Sequence, residues 1–180
     1  MRVFHILVGV MLVLVSARGF GQNQSIPSSL EVPKGNKLIL HTYAKGVQIY
    51  VCAPMPTDTS RYVWTLAEPQ ATLYSGADYQ QQIGKHYFDD AKHPTWESTD
   101  GSKVVGAKFQ QADAPDPDAI PWLLLQATST SQDGQLGKIT FIQRINTKGG
   151  KAPSTGASRS HKGQYRRVEY TAEYLFYGRD

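Results

Sequence analysis

Hydrophobic and polar residues alternate with a period of two along most of the chain, in short runs bounded by Gly, Pro, Asn and Asp. That period puts successive side chains on opposite faces of a strand, so the pattern predicts half-buried β-structure. Residues 38–40 and 47–52 are the first candidate strands, divided at Lys45-Gly46. Residues 62–66 set Tyr62, Trp64 and Leu66 against Val63 and Thr65, and 71–74 follow the break that Pro69 introduces. Residues 95–99 and 102–109 flank Asp100-Gly101, a pair suited to the positive φ angles of a type I′ hairpin turn. Asp133-Gly134 plays a similar part, in a longer loop, between 122–131 and 138–147.

The last strands carry the cleanest faces. Ile139, Phe141 and Ile145 fall on one side of 138–147, with Thr140, Arg144 and Asn146 on the other. Val168, Tyr170, Ala172, Tyr174 and Phe176 oppose Glu169, Thr171 and Glu173. Such alternation predicts antiparallel sheet with one face on a core. Residues 112–119, with Pro115 and Pro117, and 147–163, with Gly149, Gly150 and Pro153, read as loops. No window beyond residue 21 supports an amphipathic helix of three turns, and no repeat or linker divides the chain. The expected fold is all-β: a single-domain antiparallel sandwich or barrel of about seven to nine strands, architectures that protect sheet edges.

Residues 1–21 depart from this pattern. Arg2 gives a charged start, 3–15 are apolar apart from His5 and Gly9, and the small residues Ala17, Gly19 and Gly21 precede polar Gln22. That is the layout of a secretory signal peptide. Its apolar core of about 13 residues is shorter than the roughly 18 to 20 of a membrane helix. The chain therefore reads as a signal peptide at 1–21 and one β domain at 22–180, secreted or periplasmic, with no membrane span in the mature part. Loss of Arg2 and Arg18 lowers the formal net charge from +4 to +2. The remaining Lys and Arg are scattered, so no nucleic-acid partner is predicted. The densest basic group, Arg159, His161, Lys162, Arg166 and Arg167, sits in a polar loop and reads as solvated. Cys52, the only cysteine, closes an apolar run and should be a buried, unreactive core residue.

Candidate chemistry is sparse. His86 and His93 enclose Asp89 and Asp90, possible metal ligands by type, yet their spacing matches no metal motif and they read as surface loop. Asp78, Asp89, Asp90, Glu97 and Asp100 could include an acid/base pair only if folding sets the right separation. No nucleophile elbow, dinucleotide fingerprint or phosphate loop occurs, so no catalytic residue, metal or cofactor is assigned. The aromatics say more. Trp64, Trp96 and Trp122 join ten tyrosines, and such rings stack on sugars or apolar ligands while their polar edges hydrogen-bond. Trp96 has polar neighbours and precedes a tight turn, which suggests an exposed ring. The candidate ligand-binding set is His86, Tyr87 and Trp96, with Arg144 as a fixed charge at the same end. Arg144 could instead form a salt bridge to Glu169 or Glu173. The leading reading is a non-enzymatic exported β domain that binds a small molecule or glycan. Its rivals are a secreted hydrolase or metal-assisted enzyme using His86, His93 and nearby carboxylates, and a cell-surface structural or interaction module.

An ordered set of phrases runs through the mature chain. Gly46-Val47-Gln48-Ile49-Tyr50 leads to Cys52, and Trp64 precedes Glu68-Pro69-Gln70-Ala71-Thr72-Leu73. Gly84-Lys85-His86-Tyr87 comes before Pro94-Thr95-Trp96-Glu97 and Asp100-Gly101-Ser102. Ile120-Pro121-Trp122, Gln143-Arg144-Ile145-Asn146-Thr147 and Tyr170-Thr171-Ala172-Glu173-Tyr174 complete it. Together they resemble the uncharacterised family called domain of unknown function 3455, found in bacteria and fungi. The resemblance implies an exported protein and transfers no catalytic residue. It also implies that many relatives place a second Cys where Ala157 stands, bonded to the equivalent of Cys52; here that bridge is lost.

Overall fold

A computed structural model describes residues 25–131 and 133–179, so the expected signal peptide at 1–21 lies outside the described residues. Eight strands follow one another: β1 (Lys37–Met55), β2 (Asp58–Tyr74), β3 (Gln82–Phe88), β4 (Pro94–Ser98), β5 (Lys103–Ala112), β6 (Trp122–Thr130), β7 (Ile139–Gly149) and β8 (Tyr165–Gly178). Each pairs antiparallel with the next, and β1 pairs with β8, which closes the sheet into an up-and-down barrel. Closure leaves no free sheet edge, and eight strands enclose a space just wide enough for side chains or one small ligand. The fold is the expected all-β domain, as a barrel.

The interior follows the alternation of β8. Tyr170, Ala172, Tyr174 and Phe176 point inward and meet Ala44, Trp96, Val104, Leu125 and Ile142 from the other strands. Two expected breaks are absent. β1 runs straight through Lys45-Gly46, and β2 through Pro69. A Cβ on Gly46 would overlap the Gln70 carbonyl oxygen, so the missing side chain allows close approach of β1 and β2 rather than a turn. Pro69 pairs with Gln48 beside a bulge between Ile49 and Tyr50, where a strand tolerates a lost ladder donor.

The hairpin at Asp100-Gly101 forms with a different turn from the one expected. Only Gly101 has a positive φ, +85°, and its N–H donates to the Ser98 carbonyl at 3.0 Å. Thr99, Asp100 and Gly101 thus make a three-residue loop whose last position is left-handed, in place of a type I′ pair. The Asp100 carboxylate accepts from the N–H groups of Ser102 and Gln135, each at 2.8 Å, and ties this hairpin to the β6–β7 loop. Hydrogen bonds, led by the Ser102 hydroxyl, hold its carboxyl at about 2.

Residues 86–93 were expected as loop, but only 89–93 turn. Lys92, at φ +66°, donates its N–H to Asp89, and the flanking residues belong to β3 and β4. The expected apolar face of β7 is split: Ile139 packs into the interior, and beyond a register shift between Ile139 and Phe141 the inside and outside positions exchange. Phe141 and Ile145 point outward with Trp122 and Leu124 of β6, beneath the fully buried Leu30 of the N-terminal segment. Gln143 fastens that segment by donating Nε2–H to the Leu30 carbonyl at 2.6 Å. Arg144 turns inward. Strands covered on both faces lose the contrast that marks inside from outside.

Past the barrel mouth, β1 and β2 extend as a hairpin. Tyr50, Cys52 and Trp64 pack there against Ala152, Ala157 and Val168. Cys52 is buried, with its Sγ 3.5 Å from the Ser158 carbonyl oxygen.

Candidate functional site

Cross-strand pairing of β3 with β4 sets His86 opposite Trp96, and both side chains face the interior. Trp96, expected as an exposed ring, is fully buried because it takes the inward position of a strand closed into the barrel. Their rings stack with centroids 4.5 Å apart and planes 12° from parallel. Tyr174 of β8 meets Trp96 edge-on at 5.4 Å. Arg144 of β7 pairs with Tyr174. These four residues, with Gln48, Leu123 and Leu125, wall a cavity of about 150 Å3 in the mouth of the barrel. Half-buried Phe88 and Pro94 and exposed Leu66 form its rim.

The guanidinium of Arg144 is pinned, not paired. Its Nε and Nη2 groups donate to the Pro121 carbonyl at 3.1 and 2.9 Å. The salt bridge to Glu169 or Glu173 does not form. Glu173 lies on the outer surface, 2.8 Å from His41 Nε2, and accepts from Asn146 at 3.0 Å. Among the described residues Arg144 has no carboxylate partner. The side chains that feel its charge are Tyr50, His86, Tyr170 and Tyr174.

All four are neutral. Burial holds the His86 imidazole at about 3; the charge of Arg144 adds to this, and a hydrogen bond to Thr95 opposes it. The Thr95 carbonyl can only accept, so Nδ1 of His86, 2.9 Å away, carries the proton and Nε2 is left as an acceptor. Burial pushes the Tyr170 and Tyr174 hydroxyls up, so both keep their protons. The Tyr174 hydroxyl lies near both the Tyr170 hydroxyl and the Arg144 guanidinium, close enough for each to act on it, yet neither tyrosine hydroxyl makes a well-aligned hydrogen bond with a described residue. The Trp96 indole N–H is likewise buried without a partner. Each such group costs about 1–3 kcal/mol in a folded protein, so two of them on one cavity wall is a costly local arrangement.

Tyr87, the fourth expected site residue, lies elsewhere. Neighbours on a strand face opposite ways, so an inward His86 forces Tyr87 outward. Its hydroxyl donates to Glu97 at 2.7 Å, and Lys85 and Lys103 each lie 3.3 Å from the same carboxylate. The bond from Tyr87 leads in holding the Glu97 carboxyl below its usual range. The two histidines are also separated. His93 is exposed in the β3–β4 turn with its ring 3.3 Å from Asp89, while His86 is inside. Among the described residues no three His, Cys, Asp or Glu side chains group as metal ligands. None of Asp78, Asp89, Asp90, Glu97 and Asp100 lines the cavity. In the basic cluster, Arg166 lies 5.0 Å over the Trp64 ring and Arg167 donates to Gln70 at 2.9 Å.

The residues that were missed, chiefly Gln48 and Tyr174, carried a signal of a kind. Tyr174 belongs to the apolar face of β8, and Gln48 is the polar member of an otherwise buried stretch. No curated protein and no solved structure matches this chain. A family profile does match, over residues 33–178, which takes in all eight strands and every cavity residue. The chain belongs to the family described as protein of unknown function (DUF3455).

Proposed function

We propose that this chain is an exported barrel that binds a small molecule in the cavity at its mouth. The observation that carries this reading is the convergence of polar groups left free on an aromatic wall. Trp96, whose indole N–H has no partner among the described residues, Tyr174, His86 with its Nε2 left as an acceptor, and the cationic Arg144 all line one space. Binding sites are mostly apolar concavities with a few well-placed polar groups, and this one has that character. A volume of about 150 Å3 suits a benzene-sized body and leaves no room for a glycan chain. Of the alternatives in the sequence, a small molecule is therefore favoured over a glycan. The charged N-terminal start and apolar core of 3–15 support export.

A thermal-shift screen of compact aromatic and aliphatic compounds tests the binding, because a ligand selective for the folded state raises its apparent stability. Stabilisation of the natural chain is expected, and its loss in Leu123→Trp, which fills the cavity. A shift that survives Leu123→Trp, or no shift across the screen at millimolar concentration, refutes the reading. Intact-mass analysis of the chain from its native host tests export: residues 1–21 should be missing.

A further inference from the structure

We infer that the mouth cavity selects a small carboxylate with a compact apolar body, seated on Arg144; this rests on the binding reading above. Three observations lead here. The first is a charge without a counter-charge. Arg144 projects from β7 into the barrel, half-buried; it donates two hydrogen bonds to the Pro121 carbonyl and lies close enough to the neutral Tyr174 hydroxyl to act on it, with no carboxylate partner among the described residues. A cation withdrawn from water is ordinarily paired, because the desolvation it suffers must be offset by an anion or by several acceptors. Here every neighbouring element presents a neutral group: Tyr50 from β1, His86 from β3, Tyr170 and Tyr174 from β8. An anion is the missing member.

The second observation is the use already made of the fork. Nε and Nη2 serve one carbonyl, which fixes the guanidinium plane and leaves the other edge for a ligand. The Tyr174 hydroxyl, buried and protonated, lies close to both Arg144 and the Tyr170 hydroxyl without a well-aligned hydrogen bond to either, and stands beside the guanidinium as a further donor. Two kinds of donor without an acceptor describe a carboxylate's complement. The third observation is the opposite wall. Trp96 and His86 offer stacked ring faces, and Leu123 and Leu125 offer aliphatic surface. His86 Nε2 is an acceptor and would repel a carboxylate. The anionic end therefore lies at Arg144, and the apolar body lies along Trp96.

Benzoate fits this description, and benzamide is its neutral counterpart of nearly the same shape. Calorimetric titration of the full chain with benzoate, benzamide and benzylamine decides the matter. Benzoate is expected to bind at least about tenfold more tightly than benzamide, the ratio for one charge-assisted contact. Benzylamine should not bind. Arg144→Met should remove the benzoate preference and leave benzamide binding in place, and Arg144→Lys should recover part of it. Equal affinity for benzoate and benzamide overturns the carboxylate inference while the binding reading stands. A benzoate preference retained in Arg144→Met overturns it too, by placing the charge contact elsewhere. If none of the three compounds binds while another compound of the screen does, the carboxylate inference alone falls; if benzoate still binds to Leu123→Trp, the cavity reading falls with it. Should Arg144→Met fail to fold, the comparison of the three compounds on the natural chain still decides between anion selection and its absence.

Discussion

Replacing Trp96 with alanine removes one of the two largest fully buried side chains among the described residues, only 1% exposed. Trp96 stacks on His86 at 4.5 Å and meets Tyr174 and Phe176 edge-on at 5.4 and 6.1 Å. Its far ring edge lies against Gly106, where an added Cβ would come within 3.2 Å. Truncation leaves a void that this closed wall can fill only in part, so the ordinary cost of about 3–5 kcal/mol applies. One effect runs the other way. The indole N–H has no partner among the described residues, and removing a buried orphan donor recovers about 1–3 kcal/mol. A net loss of about 2 kcal/mol is expected, which for a domain of this size lowers the thermal midpoint by roughly 4–8 °C. Urea unfolding with an unchanged m-value measures it directly. Trp96→Phe keeps a ring on His86 and removes the orphan N–H, so it should cost less than about 1 kcal/mol. A loss below about 1 kcal/mol in the alanine variant would show that Trp96 is not part of the interior. A loss in Trp96→Phe well above about 1 kcal/mol would show that the indole N–H is partnered after all.

His86 should govern an acid limb of stability. Its folded-state value of about 3 lies below the ordinary 6.5, so the unfolded chain takes up the proton first. The stability tied to a neutral ring is complete above about pH 6.5 and is lost as pH falls toward 3; urea midpoints from pH 7 to 4 should decline, and decline less in His86→Asn. Ala157 packs in one cluster with Cys52, so Ala157→Cys should close a disulfide under oxidising conditions. Intact mass and loss of the free thiol check it, and a thiol that persists would place the two positions too far apart. Gly46→Val should destabilise by more than about 2 kcal/mol, because its side chain would be built onto the Gln70 carbonyl and the Ala71 Cα. Denaturant melts test this, and a neutral result would mean that β1 and β2 do not approach closely there.

Local patterning along the chain was enough for the fold class. The alternation in β8 identified an inward face of Tyr170, Ala172, Tyr174 and Phe176, because a period of two maps directly onto the two sides of a strand. The hairpin at Asp100-Gly101 was legible because it rests on contacts between near neighbours in sequence; Cys52 was legible from the apolar run it closes, although the residues that bury it come from 152–168. The site was legible only in parts. His86, Trp96 and Arg144 were singled out as residues of unusual character, but their meeting required β3, β4 and β7 to lie in one closed sheet. Tyr87 was grouped with His86 because 86–93 read as loop, and only the pairing of β3 with β4 shows that adjacent residues must point to opposite sides of the wall. Arg144 was placed on the polar face, opposite the apolar one, because Ile139, Phe141 and Ile145 claimed the latter. That apolar face is covered by the segment around Leu30, more than a hundred residues away in the chain, which frees the opposite face to become the barrel interior. Periodicity distinguishes two faces of a strand; which of them is inside depends on what the rest of the chain brings to cover each.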